Sequence, residues 1–479
     1  MAKYDYNMVA IGAGSAGLVT AYICAATKAK IALIEKHKMG GDCLNTGCVP
    51  SKALIRSAKF MKDTKSAQAL GFKNVSVEFD FADVMERIQR VVKTIEPHDS
   101  VERFTGLGVD CHIGSAKIKS PHEVEVNGKT LTTKNITIAT GARPFVPPIP
   151  GLNEVDYYTS DNIWDLRKRP ERLVVLGGGP IGSELAQAFQ RLGCQVTQIE
   201  RGPRLLSRED TEISEMVLEK FKSDGVNVLL NHNAEKFYKE NNQNTLICDH
   251  NGEKVKIEFD AALIAIGRTP NTSGFGLEEL GIELNPNGTI KVDDYLRTTK
   301  YKNIYACGDV AGPYQFTHTA SHQAWFCAVN SMVKPFWGFK ADYRVIPWAT
   351  YTDPEVARVG LNELEAKEKS IPYEVTTYGI DDLDRAIADE SAYGCVKVLT
   401  VPGKDKILGV TIAGVHAGDL IAEYVTAMKY GLGMNKILGT IHIYPTLTEA
   451  NKFAAGNWKK NQVTASTLAW GERINRWRR

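Results

Sequence analysis

The feature that most restricts the fold of this chain is a pattern that occurs twice. In each copy an apolar stretch predicts a buried strand, a turn with three glycines follows, and an apolar-periodic stretch predicts a helix. Such a turn brings the pyrophosphate of a dinucleotide to the helix N-terminus, so each copy predicts a dinucleotide-binding unit. The glycines of the shared pattern are Gly12, Gly14 and Gly17 in the first copy and Gly177, Gly179 and Gly182 in the second, where Gly178 is an additional glycine.

An acidic residue has the same spacing in both copies. A second apolar strand ends in Glu35 in the first copy and in Glu200 in the second, and each acid follows the first glycine of its turn by 23 residues. A carboxylate at this point can accept hydrogen bonds from ribose hydroxyls. Because two incidental tight turns would not reproduce this spacing, we infer that the chain is internally duplicated.

Each copy closes with a further apolar strand that runs into a glycine. The first ends at Thr140 and Gly141 and the second at Gly267, and these residues are also expected to contact the nucleotides. Two dinucleotides on one chain imply hydride transfer between them, and the usual pair is a nicotinamide and a flavin. We therefore predict an α/β fold with two Rossmann-like dinucleotide-binding domains, for FAD and for NADH or NADPH.

The composition excludes several other classes of protein. A chain of 479 residues needs several domains, and 43% hydrophobic with 24% charged residues is typical of a globular protein. The net charge of +2 does not suit nucleic-acid binding. The sequence has no apolar run long enough for a transmembrane segment and no export signal, so we expect a cytoplasmic protein.

Two of the nine cysteines, Cys43 and Cys48, lie close together before a predicted helix. Positions five apart on a regular helix point about 140° away from each other, so the two thiols can pair only if the segment bends. Gly47 permits that bend, and Pro50 suits the first turn of a helix that would begin near Cys48. The helix dipole and the cation of Lys52 would then lower the pKa of Cys48 from about 8.5, as a redox-active thiolate requires.

Two other roles are open to a cysteine pair. A structural disulfide does not suit the reducing compartment that an odd number of cysteines without an export signal indicates. A zinc site needs a further Cys or His pair, and His37 is the only close candidate, so no metal site is predicted. The remaining cysteines are expected to fill the core or loops: Cys24, Cys111, Cys194, Cys248, Cys307, Cys327 and Cys395.

The cysteine segment carries a family resemblance. Residues 40–52, Gly-Gly-Asp-Cys-Leu-Asn-Thr-Gly-Cys-Val-Pro-Ser-Lys, resemble the active-site signature of the pyridine nucleotide-disulfide oxidoreductases, and residues 306–309 resemble the family's second flavin-contacting segment. The family contains dihydrolipoamide dehydrogenase, glutathione reductase and mercuric reductase. The resemblance extends over essentially the whole chain.

The resemblance implies a role for each residue of the site. Cys48 would face the flavin as the thiolate, and Cys43 would exchange electrons with the substrate. Lys52 would lie near flavin N5 and pair with Glu184, which follows the second glycine turn.

Further along the chain, the resemblance implies that Asp309 holds the ribityl chain and that His318 lies at the start of a flavin-facing helix. A neutral hydrogen-bonding role and a catalytic role are both open to this histidine. The C-terminal domain would form a homodimer and complete the active site of the neighbouring subunit. The implied ranges are 1–150 for the first part of the FAD domain, 151–272 for the NAD(P) domain, 273–343 for the return of the FAD domain and 344–479 for an α+β dimerisation domain.

The chain departs from the family pattern at its C-terminal motif. Dihydrolipoamide dehydrogenase and glutathione reductase have a histidine before the proline, oriented by a glutamate, whereas this chain has Tyr444 with Glu449 five residues later. A phenol titrates near 10 and an imidazole near 6.5, so tyrosine is a poor base at neutral pH. His442 could substitute for it, although a structural role also suits this histidine.

This departure leaves the electron acceptor unidentified. Mercuric reductase also carries tyrosine here, but it uses a C-terminal cysteine pair, and the last cysteine of this chain is Cys395. The prediction is therefore a mercuric-reductase-like enzyme with a small-molecule acceptor. Dihydrolipoamide dehydrogenase is one alternative, and a non-catalytic, redox-sensing flavoprotein that binds a partner is another.

Two further features leave alternatives open. Glu200 favours NADH because a carboxylate repels a 2′-phosphate, whereas Arg201 and Arg204 could pair with the phosphate of NADPH. Near the end of the chain, three apolar residues with arginines between them stand at helical spacing, which suits packing on the dimer, a membrane surface or a partner. They are Trp470, Ile474 and Trp477.

Overall fold

The computed structural model describes residues 3–334 and 336–479. Its first domain is built on a sheet whose central part is parallel, as expected for strands joined by helical crossovers. The parallel strands are, in spatial order, Asp110–Ile113, Ile31–Glu35, Tyr6–Ile11, Lys129–Ile138 and Ile304–Ala306. The first half of Lys129–Ile138 continues into an antiparallel extension with Glu123–Val126 and Ala116–Ser120. The α-helices of this domain are Ser15–Ala26, Gly41–Asn45, Cys48–Lys65, Phe81–Ile95, Val101–Gly106 and Thr317–Val333.

The second domain repeats this topology. Its parallel strands are, in spatial order, Asn227–Leu230, Gln195–Glu200, Arg172–Leu176, Ala261–Ile264 and Tyr157–Tyr158. Its helices are Pro180–Arg191 and Thr211–Asp224, and an antiparallel meander consists of Asn233–Glu240, Gln243–His250 and Glu253–Phe259. In both sheets the strand before the glycine turn lies between the strand that ends in the acid and the strand that closes the unit. The internal duplication is therefore present in three dimensions.

Two glycines of each turn are required by the backbone itself. Gly12 and Gly177 have φ angles of +100° and +113°, and a Cβ on either would lie 2.4 Å from a carbonyl oxygen. A Cβ on Gly17 or Gly182 would lie 1.7 or 2.3 Å from the carbonyl oxygen of the first glycine of its own turn. Only glycine lets the helix start this close to the strand that precedes it.

The third domain is α+β. A short antiparallel ribbon of Ala142–Pro144 and Arg268–Pro270 connects the first two domains, and the helix Leu277–Leu280 follows it. The third sheet is antiparallel, in the order Pro347–Thr350, Glu355–Gly360, Ile407–Gly414, Cys395–Thr400 and Glu374–Gly379. Its helices are Glu363–Glu368, Asp384–Ala388, Ala417–Lys429, Met434–Gly439, Glu449–Asn461 and Ala465–Arg478. Among the described residues, none of the helices has the length and apolar character needed to cross a membrane.

A shared core positions the cysteine segment between the first two domains. Leu54, on the helix that begins at Cys48, belongs to the same buried apolar cluster as Met85 of a neighbouring helix and Phe189 of the second domain. The rings of Phe81 and Phe189 are 6.2 Å apart across the same boundary. Because the core is continuous, the glycine turn of the second domain is held at a fixed place relative to the cysteines.

Buried ion pairs hold the third domain against the second. The ammonium group of Lys397, 3% exposed, lies 2.8 Å from Asp210 and 2.6 Å from Glu363 and also contacts Glu212. Arg358, also buried, pairs with Glu209 at 3.1 Å. The carboxylates of Asp210, Glu212 and Glu363 could otherwise resemble a cation site, but Lys397 already supplies their positive charge.

Replacing Lys397 by methionine should lower the free energy of unfolding by about 3–5 kcal/mol, because three clustered carboxylates would lose their cation. Chemical denaturation measures the change. Lys254→Met is the matched control, since Lys254 also pairs with two carboxylates but its side chain is 52% exposed, and its loss should have little effect. Equal effects of the two substitutions would contradict the interpretation that burial makes the Lys397 cluster important.

Candidate active site

The cysteine segment bends as its spacing predicts. Cys43 lies on the five-residue helix Gly41–Asn45, and Cys48 is the first residue of the long helix Cys48–Lys65. Gly47 stands between the two helices, where a Cβ would lie 3.0 Å from the carbonyl oxygen of Asp42. All nine cysteines are among the described residues and are free thiols. Six of them are buried, Cys43 and Cys111 are half-buried, and Cys48 is exposed.

The two thiols are electrostatically unequal. A hydrogen bond from Cys43 makes the largest contribution in lowering the pKa of Cys48 to about 6, and partial desolvation of the sulfur by the surrounding protein opposes it. The hydroxyl of Thr317, 3.4 Å from the Cys48 sulfur, and the cation of Lys52 lower it further. The same hydrogen bond and burial raise the pKa of Cys43. The pKa of Cys48 is thus lowered as predicted, but its main cause is the neighbouring thiol.

Lys52 and Glu184 form an ion pair beside the cysteines. The Lys52 ammonium lies 2.8 Å from the Glu184 carboxylate and 4.3 Å from the ring centroid of Tyr351. The other carboxylate oxygen of Glu184 accepts a hydrogen bond of 2.9 Å from the backbone N–H of Tyr351. Burial opposes the charge on Lys52, but Glu184 outweighs it and raises the lysine pKa. Lys52, Glu184 and Tyr351 come from the first, second and third domains.

Asp309 lies directly beyond the strand Ile304–Ala306. Burial raises its pKa to about 6, and the guanidinium group of Arg268, 3.5 Å away, acts in the opposite direction. Arg268 also contacts Asp42, the neighbour of Cys43, and so connects the Asp309 loop with the cysteine loop. Asp309 as a ligand of the ribityl chain stays a prediction.

His318 is exposed at the start of the helix Thr317–Val333. Its Nε2 is 2.8 Å from the carbonyl oxygen of Pro347, and its ring stacks on Phe316 with 5.3 Å between centroids. A carbonyl can only accept a hydrogen bond, so Nε2 carries the proton. This contact favours the hydrogen-bonding role over the catalytic one.

The middle glycine of each turn leaves space that the protein does not fill. Gly14 and Gly179 have extended backbone angles that any residue adopts. A Cβ on Gly14 would have its nearest neighbour 3.7 Å away, and a Cβ on Gly179 would have none within 4 Å. The open space lies in front of a helix N-terminus in both cases, where a pyrophosphate needs close access to the backbone. The two turns therefore fit FAD and NAD(P)H.

The two acids at the strand ends hold the glycine turns in place. Glu35 accepts a hydrogen bond of 2.7 Å from the N–H of Ala13, and Glu200 accepts one of 2.7 Å from the N–H of Gly178. The second oxygen of each carboxylate accepts from the amide two residues further on, at 2.8 and 2.6 Å. A carboxylate has about four lone-pair sites, so ribose contacts remain open to both acids.

The closing strands of the two copies meet near the connecting ribbon. Thr140 donates a hydrogen bond of 2.7 Å to the carbonyl oxygen of Asn271, and the side chain of Asn271 donates one of 2.9 Å to Thr140. Gly141 and Gly267 have φ angles of +66° and +142°. These residues fix the connection between the two domains, and their nucleotide contacts stay predictions.

Tyr444 lies at the surface of the third domain, 67% exposed, and its hydroxyl donates a hydrogen bond of 3.0 Å to Asp384. This bond raises the pKa of Tyr444. Glu449 is buried and accepts a hydrogen bond of 3.2 Å from the N–H of Thr446. The structure thus gives the phenol a different carboxylate partner from the one that the family pattern implies.

His442 has contacts within its own domain. Its side chain is 6% exposed, with Nε2 2.9 Å from Glu423 and Nδ1 3.1 Å from the carbonyl oxygen of Thr440. Both ring nitrogens are therefore engaged, which supports the structural role.

Comparison with known proteins identifies the family. The family model described as pyridine nucleotide-disulphide oxidoreductase matches residues 6–324, and the model of that family's dimerisation domain matches residues 346–455. The chain belongs to this family.

Curated members of the family match nearly the whole chain. Mercuric reductase of Bacillus cereus is 35% identical over 98% of this chain and 74% of its own length. Dihydrolipoyl dehydrogenase of Chlamydia pneumoniae is 34% identical over 93% of this chain and 95% of its own length. Among solved structures, the HOCl-induced flavoprotein disulfide reductase RclA from Escherichia coli has a TM-score of 0.84 at 29% identity, covering 94% of this chain and 99% of that one.

Membership confirms the predicted class and fold. The chain is a flavin-dependent pyridine nucleotide-disulfide oxidoreductase, the family's cofactors are FAD and NAD(P)H, and the dimerisation domain supports a homodimer. When bound, FAD supplies a two-electron carrier between the nicotinamide and the dithiol. In this chain the lowered pKa of Cys48 favours its thiolate, the raised pKa of Cys43 favours its thiol, and the ion pair of Lys52 and Glu184 places a cation beside them.

Three residues of the site were not found from the sequence. Thr317 adjoins His318 at the start of a helix, so the sequence had pointed to the correct segment through the histidine. Tyr351 and Arg268 carry no local signal, because their contacts depend on how the domains meet.

The structure predicts how Cys48 ionises in the reduced, FAD-loaded enzyme. A thiolate beside a flavin gives long-wavelength absorbance, which should be present above about pH 6 and disappear as the pH falls through that value. Thr317→Val removes a hydrogen bond to the thiolate and should move the midpoint upward by about one pH unit. Thr317→Ser keeps a hydroxyl and is the control. An unchanged midpoint in Thr317→Val would show that Thr317 does not stabilise the thiolate.

Proposed function

We propose that this enzyme passes electrons from NAD(P)H, through FAD and the dithiol of Cys43 and Cys48, to a small thiol-binding metal ion. The observation that carries the proposal is the state of Tyr444, whose phenol is bound to Asp384 and has a raised pKa. Reduction of a disulfide substrate needs a group that exchanges protons with the dithiol. A soft metal ion needs only thiolate ligands, which a lowered pKa at Cys48 provides.

The electron balance of this reaction involves the two sulfurs. A hydride equivalent cleaves the disulfide between Cys43 and Cys48, which leaves Cys48 as thiolate and Cys43 as thiol. When the disulfide forms again, the proton of Cys43 is released and two electrons leave the sulfurs. They pass to one Hg(II) ion or, one each, to two Cu(II) ions. The different pKa directions of the two thiols suit this division.

Two relatives of this chain support a metal ion as the electron acceptor. One relative is named mercuric reductase, and RclA has been solved as a Cu(II) complex, with a TM-score of 0.83 at 28% identity to this chain. The dihydrolipoyl dehydrogenases are also similar, so a disulfide substrate is the alternative. A non-catalytic role is disfavoured because Cys43, Cys48, Lys52 and Glu184 are all assembled in one site.

The proposal includes a shared active site and a cytoplasmic location. Tyr444 lies in a loop with Ile441 and Ile443, which are 92% and 77% exposed, and such an apolar loop suits an interface with a second copy. Tyr444 would then face the cysteines of the neighbouring subunit.

The odd number of cysteines suits a reducing compartment.

An acceptor assay distinguishes these functions. Steady-state NADH oxidation should be fast with Hg(II) or Cu(II) and slow with lipoamide or glutathione disulfide. Tyr444→His should raise turnover with lipoamide by about 100-fold, because it supplies a base. Cys48→Ser should abolish turnover with every acceptor, and Tyr444→Phe is the control for loss of the phenol. Efficient lipoamide turnover by the wild-type enzyme would contradict the proposal.

We also propose that NADH is the preferred nucleotide, because the carboxylate of Glu200 lies at the ribose end of the second turn and repels a 2′-phosphate. The kcat/KM for NADH should exceed that for NADPH at least tenfold. Glu200→Gln should reduce this ratio, because a neutral amide keeps a hydrogen-bond acceptor but loses the repulsion. A wild-type preference for NADPH would instead assign the 2′-phosphate to Arg201 or Arg204.

A further inference from the structure

The last helix, Ala465–Arg478, stands apart from the core of the third domain. It has no buried residue over its 14 positions. Its N-terminus is nevertheless well formed, since the side chain of Thr464 accepts a hydrogen bond of 3.2 Å from the N–H of Thr467. A helix that carries its own cap and buries none of its residues against the described part of the chain has a surface free for another partner.

One side of this helix is aromatic and apolar. At 100° per residue, Trp470, Ile474 and Trp477 lie within an arc of about 60°. Trp470 is 67% exposed and Trp477 is 87% exposed. The same geometry puts Arg473 at one edge of this arc and Arg478 at the other. We call the surface formed by these five residues the Trp-Arg face.

The charge of the segment is strongly positive. Residues 465–479 contain four arginines and one acid, Glu472, which gives an excess of three positive charges. The whole chain has a net charge of +2, so all other residues together have a net charge of −1. Glu472 pairs with Arg476 at 2.7 Å, which leaves the arginines of the Trp-Arg face without an acidic partner on their own helix.

We propose that the Trp-Arg face binds an anionic membrane surface. Tryptophan side chains favour the headgroup region of a bilayer, and arginines beside them attract anionic lipids. A helix of 14 residues is about 21 Å long, shorter than the hydrocarbon core of about 30 Å, so it would lie in the plane of the interface.

A second copy of the chain suits this face less well. The match to the dimerisation domain ends at residue 455, before the helix begins at Ala465. The exposed apolar loop of the third domain, with Ile441 and Ile443, lies inside that match. The helix therefore lies outside the matched dimerisation domain, and its charge is complementary to anionic lipid.

Vesicle co-sedimentation of the full-length, FAD-loaded enzyme tests the proposal. We expect binding to vesicles that contain about one quarter phosphatidylglycerol, at least tenfold weaker binding to pure phosphatidylcholine, and release by high salt. Trp470→Ala with Trp477→Ala, and separately Arg473→Glu with Arg478→Glu, should each weaken binding at least tenfold. NADH oxidation should be unchanged in both double variants.

Matched controls separate the face from general effects of charge and apolarity. Leu468→Ala removes an exposed apolar residue from the opposite side of the same helix, and Lys236→Glu with Lys239→Glu makes the same charge change on the second domain. Both should leave vesicle binding intact. Absence of wild-type binding would overturn the proposal, as would equal binding to both kinds of vesicle. Conversion of the dimer to a monomer on deleting residues 464–479, measured by light scattering, would instead assign the face to the partner subunit.

Discussion

The arrangement of the whole site depends on the two contacts of the Glu184 carboxylate. One of its oxygens pairs with Lys52 of the first domain, and the other accepts from the backbone of Tyr351 in the third. Glu184 itself belongs to the helix that begins at the second glycine turn. One buried anion thus relates the nicotinamide domain, the cysteine helix and the C-terminal domain, and each of its oxygens has a defined partner. The ion pair and the hydrogen bond to the two oxygens offset the cost of desolvating this buried carboxylate where the three domains meet.

The break at Gly47 gives the two cysteines different surroundings despite their closeness in sequence. Cys48 begins a long helix and meets the hydroxyl of Thr317, whereas Cys43 is on a separate short helix beside Asp42. One thiol therefore gains stabilisation as an anion and the other keeps its proton. On a regular helix through both positions the two side chains would point about 140° apart, and the thiols could not meet.

What the residue pattern by itself could predict was local, whereas the pair of Lys52 with Glu184 was implied only by the family resemblance. Repeated spacing located Glu35 and Glu200, because a strand, a turn and a helix are encoded within a few tens of residues. It did not show that both acids bind the backbone of their own turns, since that depends on loop geometry. The contact between Cys48 and Thr317 spans 269 residues, and the bond between Tyr444 and Asp384 spans 60. Such pairs form because of the way in which whole domains pack, and they cannot be predicted from the residue types alone.

The outer and the central glycines of each turn meet different requirements. Gly12 and Gly17 are demanded by the chain's own backbone, whereas Gly14 has ordinary angles and open space around its Cα. The same holds for Gly179 in the second turn. The outer glycines thus serve the folding of the polypeptide, whereas the fold itself does not require glycine at the central positions. A side chain at a central position would therefore leave the apoprotein intact and occupy only the open space in front of the helix.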